Sequence, residues 1–146
     1  MKKARSGFTL LEMMLSVTIL SLIFGMTIPM YRIFTVRNDL DIAVITIVQD
    51  LRRAQVLSQI TDGDSSWGVH VSSGSILLYK GTSYVTRDSS FDEVTSIPTS
   101  IIVSGLNDVV FSRLTGFPQN TGTFSLTSSS NEIRNVTINQ KGMVDY

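Results

Sequence analysis

Residues 1–31 read MKKARSGFTLLEMMLSVTILSLIFGMTIPMY, and their reading decides the fold. The first seven residues are short and basic, with Lys2, Lys3 and Arg5 and no acid. From residue 13 to residue 31 there are 19 consecutive uncharged residues, 13 of them apolar. The six others are Ser16, Thr18, Ser21, Gly25, Thr27 and Pro29. As a helix, residues 8–30 would rise about 35 Å, enough for a hydrocarbon core of about 30 Å. The basic start favours a cytoplasmic N-terminus, although Arg32 and Arg37 follow closely and narrow that bias.

Three ordinary readings compete for this stretch. A cleaved secretory signal has a shorter apolar core and a small-x-small cleavage site, which is absent here. A plain membrane anchor fits the length but leaves Glu12 unexplained. A buried core helix would need more chain than 146 residues supply to wrap it. A carboxylate in an apolar span costs about 3 kcal/mol on insertion scales and marks a functional site by default. Glu12 needs a cation or a proton, and the span itself contains no cation.

Lys-Lys-Ala-Arg-Ser-Gly followed by Phe-Thr-Leu-Leu-Glu resembles the class III signal of type IV pilins and type II secretion pseudopilins. The resemblance lies in the basic leader, Gly7 before the cut, Phe8 after it, and Glu12 as fifth residue of the mature chain. Pro29 stands where pilin-like proteins often carry a proline. The resemblance implies that a prepilin peptidase cuts between Gly7 and Phe8 and N-methylates Phe8, so that the apolar segment is retained. The partners it implies are other pilin-like subunits in a homo- or hetero-filament, the peptidase, an inner-membrane assembly platform, and lipid before assembly.

The residue chemistry is consistent with that cut. Cleavage would expose an amine at Phe8 with a reference pKa near about 8. Glu12 lies four residues on, about one helical turn away. It can approach the amine of its own chain or that of a staggered neighbour. At about 4 Å and an effective dielectric of about 20 the attraction is about 4 kcal/mol before desolvation. That offsets most of the carboxylate's membrane cost and makes Glu12 the expected assembly determinant.

Residues 31–60 continue as an amphipathic helix. Ile33, Val36, Leu40, Val44, Ile47, Leu51, Ala54 and Leu57 recur in steps of three and four. Charged residues mostly occupy the other faces. Pro29 removes one backbone donor and is the expected kink, and Asn38-Asp39 is a weaker interruption. Asp62-Gly63-Asp64-Ser65 then ends the helix.

After residue 66 the texture changes to short Val-, Ile-, Phe- and Tyr-rich runs separated by Ser, Gly and Asn. Residues 67–71 and 75–80 predict a hairpin. Further strands are expected at 84–87, 100–103, 109–113, 123–127 and 136–139. The region 91–94 reads as helical, and Gly142 as a turn before Met143. The expected fold is α+β: a long N-terminal helix, transmembrane then amphipathic, packed on a mainly antiparallel β domain. The divisions are a leader (1–7), a membrane or filament-core helix (8–30), its amphipathic continuation (31–60) and a β-rich domain (61–146). This order of elements loosely resembles the minor pseudopilins with an all-β C-terminal domain, the group of the tip-proximal H subunit. Many major type IVa pilins end in a cysteine-bridged loop, and this chain has no cysteine.

Composition limits the rival functions. The chain has no net charge, and without the leader it carries 9 Lys and Arg against 12 acids. That opposes DNA binding, although Arg52, Arg53, Arg113, Arg134 and Lys141 could form a local patch. Catalysis lacks a constellation, since the one histidine, His70, has no nucleophile or orienting acid nearby in sequence. No metal or cofactor is expected: Asp62 to Ser65 lacks a later bidentate acid at EF-hand spacing and reads as a turn. Asn135-Val136-Thr137 matches a glycosylation sequon that carries no weight in a bacterial product. The sequence therefore points to a structural, non-enzymatic subunit of a type IV pilus or pseudopilus, expected to be a minor one. A major subunit and a membrane-anchored DNA-binding protein of an uptake system are the alternatives. Its expected location is the inner membrane, single-pass, with the domain outside the cytoplasm, and then the pilus.

Overall fold

The computed structural model describes residues 7–60 and 65–146, with the side chains of residues 26–30 and 32 outside that description. The proposed turn at Asp62 and Asp64 lies outside the described residues. The chain divides into two compact units, one ending at Thr35 and the other spanning Val36–Tyr146.

Helix α1 is assigned from Leu10 to Gln59. Its backbone stays helical at Pro29 and across Asn38-Asp39. Up to Gly25 every described side chain is exposed, from Leu10 at 81% to Phe24 at 66%. Among the described residues no helix is long and apolar enough to cross a membrane. The side chains described without a break from Leu10 end at Gly25, a run of 16 helical residues or about 24 Å.

The second unit is a helix on two antiparallel sheets. Strands β1 (Trp67–Ser72), β2 (Ser75–Lys80), β3 (Asp88–Ser96) and β5 (Asp108–Phe111) form one sheet in the order β3-β2-β1-β5. Strands β4 (Ile102–Gly105), β6 (Gly122–Thr127), β7 (Ile133–Ile138) and β8 (Val144–Asp145) form the other, in the order β4-β6-β7-β8. The chain visits the second sheet with β4, returns with β5, and then completes the second sheet. One core joins all three layers. Leu40, Val44, Ile47, Leu51 and Ala54 of α1 meet Val69, Ile76, Leu78 and Phe111 of the first sheet and Phe124, Leu126, Val136 and Ile138 of the second. The stripe predicted from its three-and-four spacing is therefore the buried face from Leu40 onward, with Ala43 and Val48 added to it. Ile33 lies outside it and is exposed.

The last turns of α1 are tied to the sheets by polar bonds. Buried Ser58 Oγ donates to the Phe111 carbonyl at 3.1 Å and accepts from the Trp67 amide at 3.0 Å. The Ser58 carbonyl accepts from the Leu114 amide at 3.0 Å. Gln55 Nε2 donates to the Gly116 carbonyl at 3.1 Å and reaches the Lys141 carbonyl at 3.3 Å. Gly116 has φ +63 and Gly142 φ +80, and a Cβ on either would strike the Gln59 or Gln55 side chain. Glycine is required there both for its backbone and for the close approach.

The predicted hairpin is present, with Trp67 opposite Lys80 and Ser72 opposite Ser75. Two predicted elements are corrected. Residues 84–87 form bends and a turn instead of a strand. Residues 91–94, read as helical, belong to β3. There the pairing with β2, Leu77 opposite Val94, and the edge contact of Phe91 on Trp67 at 6.2 Å override local preference.

Candidate processing and assembly site

Gly7, Phe8 and Thr9 precede the first helical residue and lie in the open. A Cβ built on Gly7 would meet no atom within 4 Å, and Phe8 is exposed. Thr9 caps the helix: its carbonyl accepts from the Met13 amide at 3.1 Å and its Oγ1 from the Glu12 amide at 3.2 Å. Thr9-x-x-Glu12 is thus the spacing of a capping box, with its forward bond formed. The cap begins the helix two residues after Phe8, which leaves the Gly7–Phe8 peptide in non-helical, accessible chain.

Glu12 falls in the first turn of α1, where a carboxylate is favoured by the unpaired amides and the positive end of the helix dipole. Its side chain is exposed and makes no ion pair among the described residues. In the uncut chain the nitrogen of Phe8 is an amide and offers Glu12 no charge. The small polar residues beyond it are satisfied within the helix. Ser16 Oγ donates to the Glu12 carbonyl at 2.8 Å, Thr18 Oγ1 to Met14 at 2.7 Å, and Ser21 Oγ to Val17 at 2.8 Å. Each hydroxyl is hidden against its own backbone, so this surface presents carbon and one carboxylate to its surroundings. Sequence reasoning named Gly7, Phe8 and Glu12 but missed the Thr9 cap, which its T-x-x-E spacing signals. Pro29 lies on helical backbone, with its side chain outside the described residues.

The cations considered for a nucleic-acid patch are dispersed. Arg53 is forked onto Glu93, with Nη2 to Oε1 at 2.7 Å. Arg134 lies 3.1 Å from Glu132 and 3.6 Å from Asp41, and Arg37 meets Glu132 at 3.3 Å. Arg52 and Lys141 line an open groove of about 440 Å³ with Gln55, Val56 and Met143. Among the described residues no group of three or more His, Cys, Asp or Glu is placed to hold a metal.

His70 stands on the outer face of the first sheet. Its Nδ1 is 3.8 Å from Asp108 Oδ1, and its ring stacks on Tyr84. Tyr79 OH donates to Asp108 Oδ1 at 2.7 Å. Burial and this bond to a carboxylate hold the Tyr79 phenol well above the usual tyrosine range. These groups come from β1, β2, β5 and the β2–β3 connection. No sequence spacing announced them, and no nucleophile stands among them.

Residues 2–28 match the family model of the prokaryotic N-terminal methylation motif. This is a prepilin-type signal, consistent with the type IV pilin and pseudopilin family, whose members are typically structural and non-enzymatic. Such a signal implies processing by prepilin peptidase, insertion in the inner membrane before assembly, and assembly with pilin-like subunits. No solved structure matches the chain.

Proposed function

We propose that this chain is a minor subunit of a type IV pilus or type II secretion-like pseudopilus. It is cut between Gly7 and Phe8, N-methylated on Phe8, and built into a filament through its N-terminal helix. Before assembly, residues 8–30 cross the inner membrane and hold the β-rich unit outside the cytoplasm. The observation that carries this reading is the coincidence of the methylation motif with a capped, wholly exposed apolar helix whose single charge is Glu12. The uncharged run continues in sequence to Tyr31, which gives the length a membrane demands. Pro29 is the point where that helix bends during packing.

The minor role is supported by the second unit. After residue 64 the described chain is all β apart from turns, and it has no cysteine-bridged loop. A DNA-binding role is disfavoured by the pairing of Arg53, Arg134 and Arg37 with acids.

Intact mass of the protein from its native cells tests the processing, and loss of the first seven residues with gain of one methyl group is expected. Glu12→Leu tests the assembly. It is expected to cut incorporation into sheared filaments at least about tenfold, as loss of an attraction of a few kcal/mol requires. Membrane retention should persist. A retained Met1, or undiminished incorporation of the variant, overturns the proposal. Sparse labelling by antibody at filament ends separates a minor subunit from a major one, which would label along the whole fibre.

A further inference from the structure

The connection between β2 and β3, residues 81–87, folds back over the outer face of the first sheet. Tyr84 packs there with Leu77, Tyr79 and Val110 as a small second cluster outside the main core. The Tyr84 ring is stacked on the His70 imidazole, with centroids 3.9 Å apart and planes within 18°. The Arg87 guanidinium carbon lies 4.4 Å from the centre of the same ring. The Tyr84 ring thus contacts both the imidazole and the guanidinium. Arg87 is in turn forked onto Asp92 of β3 at 2.9 and 3.1 Å and donates to the Tyr84 carbonyl at 2.8 Å. Val85, the next residue, is 87% exposed and forms the tip of this strap.

His70 Nδ1 is buried without a hydrogen bond, 3.8 Å from Asp108 Oδ1. The charged and titratable groups facing the imidazole come from three sides. Asp108 approaches from β5, Tyr79 from β2, and Tyr84 and Arg87 from the strap, with Asp92 behind Arg87. Tyr79 OH donates to Asp108 Oδ1, the oxygen that also lies nearest His70 Nδ1. The Arg87 charge is matched by Asp92.

We propose that His70 is an acid-operated latch whose protonation fastens the 81–87 strap, and the Val85 tip it presents, to the sheet. A neutral imidazole offers Tyr84 only ring contact. An imidazolium adds attraction to the tyrosine π-face; Asp108 is its cross-strand partner on the same sheet and does not hold the strap. A proton bound more tightly in the fastened than in the loosened arrangement shifts the population toward the fastened one.

Amide hydrogen exchange of residues 83–87 tests this in the processed full-length protein in detergent micelles. Between about pH 8 and about pH 5, after correction for the intrinsic pH dependence of exchange, wild type should gain about two- to fivefold protection. His70→Phe keeps the stacking without the titration and should show no gain. Tyr84→Leu removes the π-face and should also show no gain. Amides of β6 and β7 report in each variant whether the sheets are intact. No acid-dependent protection in wild type, or an undiminished gain in either folded variant, overturns the proposal. If His70→Phe does not fold, the Tyr84→Leu comparison alone decides.

Discussion

Two parts of one helix carry similar apolar content and meet opposite fates. In residues 10–25 every side chain is exposed, whereas in residues 40–54 the apolar positions facing the sheets are closed to solvent. Leu10 is 81% exposed and Leu40 is 0% exposed. The difference lies in periodicity and in supply. The second stretch gathers most of its apolar residues into a stripe, with Ile42 and Ile45 left exposed, and places Asp41, Arg52 and Arg53 on other faces, so two sheets can cover it. The first is apolar on all sides, and no surface on a chain this size encloses such a helix. Hydrophobic content alone therefore does not make a core. A segment of this kind needs cover from lipid or from other copies, which is how the proposed function uses it.

Truncation should separate the two regions most sharply. Phe124→Ala empties a fully buried position in the shared core and should lower the stability of the second unit by about 3–5 kcal/mol. Leu15→Ala, in the exposed stretch, should leave it within about 0.5 kcal/mol of wild type. Chemical unfolding in detergent, followed by Trp67 fluorescence, measures both. Equal losses would mean that the apolar helix is covered by its own chain.

A finer test concerns the outer face of the first sheet. A Cβ on Gly68 would lie 2.5 Å from the Tyr79 ring. Gly68→Ala must push that ring away, loosen its bond to Asp108, and cost about 1–3 kcal/mol in the same unfolding experiment. An unchanged midpoint would show that this face yields freely, unlike the core beneath it.

The smallest effect is one of slope. Burial raises the Asp50 carboxyl above its usual range, opposed by neighbouring Arg53, with Glu93 adding to the rise. Its folded pKa exceeds its unfolded value, so the folded state holds the proton more tightly. Its contribution to stability therefore grows as pH falls through the raised pKa toward the unfolded value near 3.8. The stability of wild type minus that of Asp50→Asn should rise over that descent. A flat difference would place Asp50 in open water, like the charges of an ordinary exposed helix face.

What the sequence discloses depends on how local the cause is. The prepilin-type signal is legible because its residues lie together in one contiguous stretch of chain, matched over residues 2–28. The helical stripe and the 67–80 hairpin are legible from their periods of 3.6 and 2. Residues 91–94 are not, because their strand conformation comes from pairing with β2 and from Trp67, more than twenty residues back. The surroundings of His70 are equally hidden, since Asp108 is 38 positions away and meets it only through the β1–β5 pairing. Ser58 reads as one more helical serine, yet its hydroxyl joins two strands to the helix.

That joint has a mechanical consequence. A pull along the axis of α1 does not open the second unit strand by strand, as a zipper would. The Ser58 hydroxyl holds β1 and β5, while its carbonyl and the Gln55 amide hold the connections at Leu114, Gly116 and Lys141, so tension is divided among bonds that must shear together. Parallel fastenings of this kind resist far more force than the same bonds loaded one after another.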